Sequence, residues 1–235
     1  MTISQHKIKS ITIRFNHEIK PRELPQFRGA IIANIEKQDA VLFHNHKEDG
    51  LRYRYPLIQY KRLEKKAGIL CLGEGTEAIG AFFANANFDI RIGDEHIHLE
   101  VDNIKADQVL IQAWDDMFDY RICRWLPLNQ ENHQVYQGLE GLGERCEFLE
   151  RILIGNILSF AKGLDIHLDN EVRCKITTLD EPRTLTFKGV KMMAFDAYFK
   201  SNVSLPNWIG LGKGVSHGFG TVTRKRKNNE IENKQ

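Results

Sequence analysis

The order in which two hydrophobic periods follow one another is the feature that most narrows the folds open to this chain. Ile11, Ile13 and Phe15 alternate with Ser10, Thr12 and Arg14, the two-residue period of a half-buried strand. Pro21 and Pro25 then open a helix on which Leu24, Phe27, Ile31 and Ile35 recur at helical spacing. Residues 51–62 and 69–73 return to strand character, and Pro56 assigns the first of them to a sheet edge or a bulge. Thr76 can cap a second helix carrying Ile79, Phe82 and Phe83. Residues 88–92 and 97–101 close the half as strands that turn through Gly93 and Asp94. Strand, helix, strand, strand, helix, strand is the split βαβ order of the ferredoxin-like fold.

The second half begins the same way. Residues 120–126 read as a strand, and the longest helix, 141–162, carries Leu142, Cys146, Leu149, Leu153, Ile157 and Phe160 on one stripe, with Gly163 as its stop. Residues 172–179 and 184–199 are strand segments, the latter long enough to turn at Gly189. Where a second helix is due there is a glycine-rich segment, followed by a short strand around Thr221. The expected fold is therefore α+β, two tandem ferredoxin-like (βαββαβ, RRM-like) domains with the second incomplete. The expected division is 1–113, 114–223 and a basic, polar tail, 224–235, that is expected to be disordered.

Composition agrees with two small domains: 235 residues, 42% hydrophobic and 27% charged, exclude wholesale disorder. The first fifteen residues have no apolar run fit for a secretion signal. The longest apolar stretch, 152–161, is broken by Gly155, Asn156 and Ser159, so no membrane span is expected. Cys71, Cys123, Cys146 and Cys174 form no CxxC pair, which argues against a zinc knuckle and for a reduced, cytoplasmic protein.

A net charge of +2 names no partner, but its distribution does more. Residues 94–119 hold eight acidic side chains and one basic one, Lys105; residues 183–227 hold nine basic side chains and one acidic one, Asp196. Residues 51–66 carry Arg52, Arg54, Lys61, Arg62, Lys65 and Lys66 against Glu64 alone, with Tyr53, Tyr55 and Tyr60 interleaved. Two such stretches fit either a polyanion-binding face or solvated strand surfaces. The tyrosines fit either base stacking or packing on the sheet.

Gly210-Leu-Gly-Lys-Gly-Val-Ser-His-Gly-Phe-Gly220 has five glycines in eleven residues. It is no Walker loop, because a glycine follows Lys213, and too few residues remain after Gly220 for a dinucleotide-binding unit. It reads either as a tight connection between packed strands or as a loop whose N–H groups line an anion site. The spacing GxGxxxxxGxG with a cation in the gap is similar to the C-terminal glycine-rich loop of the RAMP superfamily. With the tandem ferredoxin-like order and the long helix, nearly the whole chain up to about Val222 resembles the CRISPR-associated endoribonucleases of that superfamily, which cut precursor CRISPR RNA within each repeat.

That resemblance implies metal-independent cleavage with no cofactor: the ribose 2′-OH attacks the scissile phosphate and leaves a 2′,3′-cyclic phosphate and a 5′-OH. Such chemistry needs a base, an acid and a cation for the developing phosphorane charge. His44 and His46, two apart in Phe43-His-Asn-His-Lys, project to one side of an extended segment and suit the proton roles. Some members of the family similarly place two histidines after the first helix and ahead of a tyrosine, here Tyr53, and use a lysine at the end of that helix, for which Lys37 and Lys47 are the alternatives. The implied RNA contacts are Arg52, Arg54, Gly210, Gly212, Lys213, Gly214, His217, Gly218 and Gly220. The implied partner is CRISPR repeat RNA, with no membrane; membership of a multi-subunit CRISPR effector complex and a homodimer are left open. Two other readings stand beside this one. They are a non-catalytic RAMP subunit that holds guide RNA, and a metal hydrolase built on His44, His46, His96 and His98.

Overall fold

β1 (Lys7–Glu18) realises the first alternating segment, with Ile13 and Phe15 fully buried and Asn16 exposed. The computed structural model describes residues 7–34, 55–85 and 88–225. α1 (Leu24–Ala33) starts with Pro25 in its first turn and buries Leu24, Phe27 and Ile31. β2 (Ile58–Leu63) and β3 (Lys66–Leu72) form a hairpin, followed by α2 (Gly75–Asn85). β3 is buried at every residue after Lys66 because both of its faces are covered. Ile69 and Cys71 pack under α1 and α2, whereas Leu70 and Leu72 join the core of the second half.

The fourth strand of this sheet corrects the sequence reading. Residues 89–92 and 95–98 form a separate hairpin, β4 (Asp89–Ile92) with β5 (Glu95–His98), and the sheet is completed by β6 (Val101–Leu110). β6 pairs with β1 from Lys7↔Leu110 to Phe15↔Val101 and is exposed at its first eight residues. An edge strand with water on both sides has no apolar alternation to read, and its acidic residues pass for a loop. The order β2-β3-β1-β6, antiparallel throughout, is that of a ferredoxin-like sheet.

β7 (Ala113–Trp125) opens the second sheet earlier than expected, and Asp115 and Asp116 lie within it on exposed positions. α3 (Gln130–Gln137) is a helix the polar sequence gave no sign of; Asn129 caps it by accepting from the Asn132 N–H at 2.7 Å. α4 (Leu142–Gly163) buries Leu149, Leu153, Ile157 and Phe160 against the sheet. Its Glu150 is also buried and accepts from the Ile176 N–H at 2.8 Å and from the Lys175 ammonium at 3.3 Å. β8 (Cys174–Leu179) follows. β9 (Arg183–Phe187) and β10 (Val190–Val203) turn tightly through Lys188 (φ 49°) and Gly189 (φ 80°). β11 (Thr221–Arg224) completes the order β11-β7-β10-β8, again all antiparallel, with β9 added to β10. The two halves are thus tandem ferredoxin-like units. In the second, residues 204–220 replace the second helix, with one 3₁₀ turn, Val215–His217, within them.

Candidate nucleic-acid interface around the glycine-rich loop

The loop is pinned inward by Leu211, Val215 and Phe219, all buried. Gly220 lies at φ 59°, and a β-carbon there would fall inside the Leu211 carbonyl, so no side chain fits. Gly210 has a different reason: its β-carbon would stand 2.6 Å from Val215 Cγ1 and 3.0 Å from Lys61 Nζ. Much of the loop's backbone donates within the protein. Gly210 N–H bonds Gln59 Oε1 at 2.9 Å, Lys213 N–H bonds Leu126 O at 3.3 Å, and Gly220 N–H bonds Arg124 O at 3.1 Å. Gly210 and Gly220 therefore serve close packing, and the N–H groups of Gly210, Lys213 and Gly220 are taken up within the protein.

β2 and the residues before it hold the loop from the first half. The Tyr55 hydroxyl donates to Gly210 O at 2.8 Å and accepts from Gln59 Nε2 at 2.9 Å. Burial pushes the Tyr55 phenol up, so it remains a donor. Lys61 has no exposed surface, and its ammonium lies 3.5 Å from Val215 O; burial lowers its pKa to about 7. Tyr60 faces the opposite way, buried against Phe27 of α1 with ring centroids 5.8 Å apart. Of the basic, aromatic stretch at 51–66, Tyr55, Tyr60 and Lys61 are therefore packing elements and not a polyanion-binding surface. The alternation of a strand buried on both sides put charge and aromatic rings inside.

Lys213 is exposed, although its ammonium donates to Leu128 O at 3.2 Å. His217 is half-buried, with Nδ1 3.1 Å from Ser216 Oγ and its ring edge-on to Phe187 at 5.5 Å. Burial first, then the positive charges of Arg28 and Lys188, lowers its pKa to about 4, so the imidazole is neutral at neutral pH. Arg124 adopts φ 53° and lays its guanidinium over the Phe219 ring at 4.4 Å; its backbone N–H is held by Asp196, which also takes Arg183 through both carboxylate oxygens. Arg28, Arg124 and Lys188 reach the loop from α1, β7 and the β9–β10 turn. The sequence reading named none of the three, although Lys188 lies in its basic stretch 183–227, because only tertiary structure brings them to the loop.

His44, His46, Tyr53, Lys37, Lys47, Arg52 and Arg54 lie outside the described residues, as do those after Lys225. The residues on either side of 35–54 both contact the glycine-rich loop. Leu24 of α1 packs at the 3₁₀ turn, where a β-carbon on Gly218 would meet its Cδ1 at 2.5 Å, and Tyr55 is bonded to Gly210. His98 is paired with Asp89 at 2.7 Å in the β4–β5 hairpin. Among the described residues no cluster of three His, Cys, Asp or Glu side chains is placed to hold a metal ion. No helix among them is long and apolar enough to cross a membrane.

A crystal structure of Cas6b superposes on this fold with a TM-score of 0.84 at 28% identity, covering 94% of this chain and 100% of that one. A second, of a CRISPR RNA processing endoribonuclease Cas6b, gives 0.71 at 26% identity with the same coverage. An uncharacterized protein of Methanocaldococcus jannaschii is 36% identical over 111 residues, 47% of this chain and 74% of that protein. Residues 6–109 match the Cas6b N-terminal domain and residues 112–225 match the Cas6b C-terminal domain, and on that evidence the chain belongs to the Cas6b family of CRISPR-associated, RAMP-type endoribonucleases.

Proposed function

We propose that this protein is a metal-independent endoribonuclease that cuts CRISPR repeat RNA through the substrate's own 2′-OH. The observation that carries the reading is the hydrogen bond from Tyr55 to Gly210. It fastens the chain two residues beyond Tyr53 to the glycine-rich loop, whose Phe219 ring lies under Arg124 and whose His217 feels the charges of Arg28 and Lys188. In this reading one of His44 and His46 takes the 2′-OH proton, and the other returns a proton to the departing 5′-oxygen. The phosphorus–oxygen bond to that oxygen breaks as the bond to the 2′-oxygen forms, leaving a cyclic phosphate. Tyr53 orients the phosphate, and Lys37 or Lys47 offsets the charge that builds on its oxygens.

The test is cleavage of repeat RNA in EDTA by the wild-type protein and by His44→Ala and His46→Ala. Each variant should lose about 10²–10⁴-fold in single-turnover rate while RNA affinity stays within about twofold, since the loop and its cations remain. Wild-type rates in the double variant would move the active site elsewhere. Tight binding with no cleavage by the wild-type protein would leave a non-catalytic guide-RNA subunit as the better account.

A further inference from the structure

The second sheet packs one face against α4 and leaves the other open, where Arg121, Thr178 and Lys200 are exposed. Its register sets Thr223 of β11, Arg121 of β7, Tyr198 of β10 and Thr178 of β8 in one row across all four strands. The row lies on the face opposite buried Tyr120 and Phe199, one residue along the same strands. Tyr198 stands within it, half-buried, with the Arg121 guanidinium carbon 5.3 Å and the Lys225 ammonium 5.5 Å from its ring centroid. Neither cation has an ion-pair partner among the described residues, whereas adjoining Lys200 is paired with Asp119 at 3.7 Å. Beside the ring is a cavity of about 340 Å³, lined by Asp119, Tyr120, Thr177, Thr178, Tyr198 and Lys225. That volume falls within the range of about 300–1,000 Å³ for sites that take a small organic group.

We propose that this cavity takes one unpaired base of the bound RNA, stacked on Tyr198. The proposal rests on the reading that this protein binds repeat RNA. The tyrosine ring supplies a flat apolar face, and the unpaired charges of Arg121 and Lys225 suit the phosphates that flank a stacked base. Asp119 decides between base and backbone. Its carboxylate repels a phosphate but accepts an N–H from a base edge, and the Thr177 and Thr178 hydroxyls both donate and accept there. Such contacts need a free Watson–Crick edge, so the cavity selects single-stranded RNA over a helix. The site is continuous with the glycine-rich loop through the same two strands: Gly220 N–H donates to Arg124 O of β7 at 3.1 Å, and Gly210 bridges Thr221 of β11. Arg121 lies three residues from Arg124, about 10 Å at about 3.3 Å per residue, so an RNA strand leaving the loop along β7 passes the cavity.

The experiment is a cycle between protein and RNA. Affinity of the full chain is measured for repeat RNA bearing a 2′-deoxy residue at the cut, and for a series in which each nucleotide in turn is abasic, with the wild-type protein, Tyr198→Ala and Tyr198→Phe. One abasic position should cost the wild-type protein about 5–150-fold, the factor of one base–aromatic stack. Tyr198→Ala should lose a similar factor on intact RNA and nothing further on that abasic RNA, while Tyr198→Phe should bind within about twofold of wild type. The slope of log affinity against log salt should stay unchanged in Tyr198→Ala and fall by about one in Arg121→Gln. An RNA duplex of equal length should bind the wild-type protein and Tyr198→Ala alike. Tyr198→Leu, which keeps an apolar side chain on the strand without a π-face, should repeat the Tyr198→Ala result at the wild-type melting temperature. Undiminished affinity in both variants would overturn the base site, and so would a loss that adds to that of every abasic position. Failure of the wild-type protein to bind repeat RNA at all is distinguishable from both, and would remove the reading beneath it.

Discussion

Lys61→Met should stabilise the protein, and by an amount that depends on pH. The ammonium of Lys61 has no exposed surface, no carboxylate partner among the described residues, and one 3.5 Å contact with Val215 O, and its pKa falls from 10.5 to about 7. Below pH 7 the side chain is charged in both the folded and unfolded states, and its burial costs the folded state most. Between about pH 7 and the unfolded value of 10.5 the unfolded chain binds more protons than the folded one, so this residue makes wild-type stability rise with pH. At 1.36 kcal/mol per unit, the gain between pH 7 and pH 9 is about 2.7 kcal/mol. Methionine fills nearly the same volume and titrates nowhere. At pH 6 the variant should therefore be more stable by about 1–4 kcal/mol, the range found when buried ions give way to apolar groups. That advantage should shrink by about 2–3 kcal/mol on reaching pH 9. Urea unfolding of both proteins at pH 6, 7, 8 and 9 measures it, and other titrating groups cancel in the difference. A difference that stays flat over that range would refute the assignment of Lys61 as a buried lysine charged only with difficulty.

Gly220→Ala should cost more than about 3 kcal/mol and abolish RNA binding, because the new methyl meets the Leu211 carbonyl at a backbone angle alanine avoids; thermal melting with and without RNA checks it. Glu150→Ala should lower stability by about 1–3 kcal/mol, since it strips the buried Ile176 N–H of its acceptor. Glu150→Gln, which keeps an acceptor oxygen, should recover most of that in a denaturant titration.

The sequence disclosed what periodicity and glycine spacing record. The alternation of Ile11, Ile13 and Phe15, the stripe on α4 and the loop at 210–220 lead to tandem ferredoxin-like units, and those are observed. It concealed elements whose residues break the expected pairing of polarity with exposure. β6 is a strand made of exposed Asp102, Lys105 and Asp107, where no buried face imposes a pattern. Lys61 and Tyr60 read as a basic, aromatic surface but are among the largest fully buried side chains. Arg28 and Lys188 are 160 residues apart and meet only through the docking of α1 on the 3₁₀ turn, for which one sequence holds no sign. The histidine pair is the reverse case: its spacing was legible, while its placement lies outside the described residues.

In the proposed reaction the nucleophile belongs to the substrate. The most direct test is a single-turnover reaction in EDTA on two repeat RNAs that differ only by a 2′-deoxy residue just upstream of the cut. The all-ribose RNA should yield a 2′,3′-cyclic phosphate and a 5′-OH, while the deoxy RNA should bind nearly as tightly and stay intact. Equal cleavage of the two RNAs would contradict the proposed reaction.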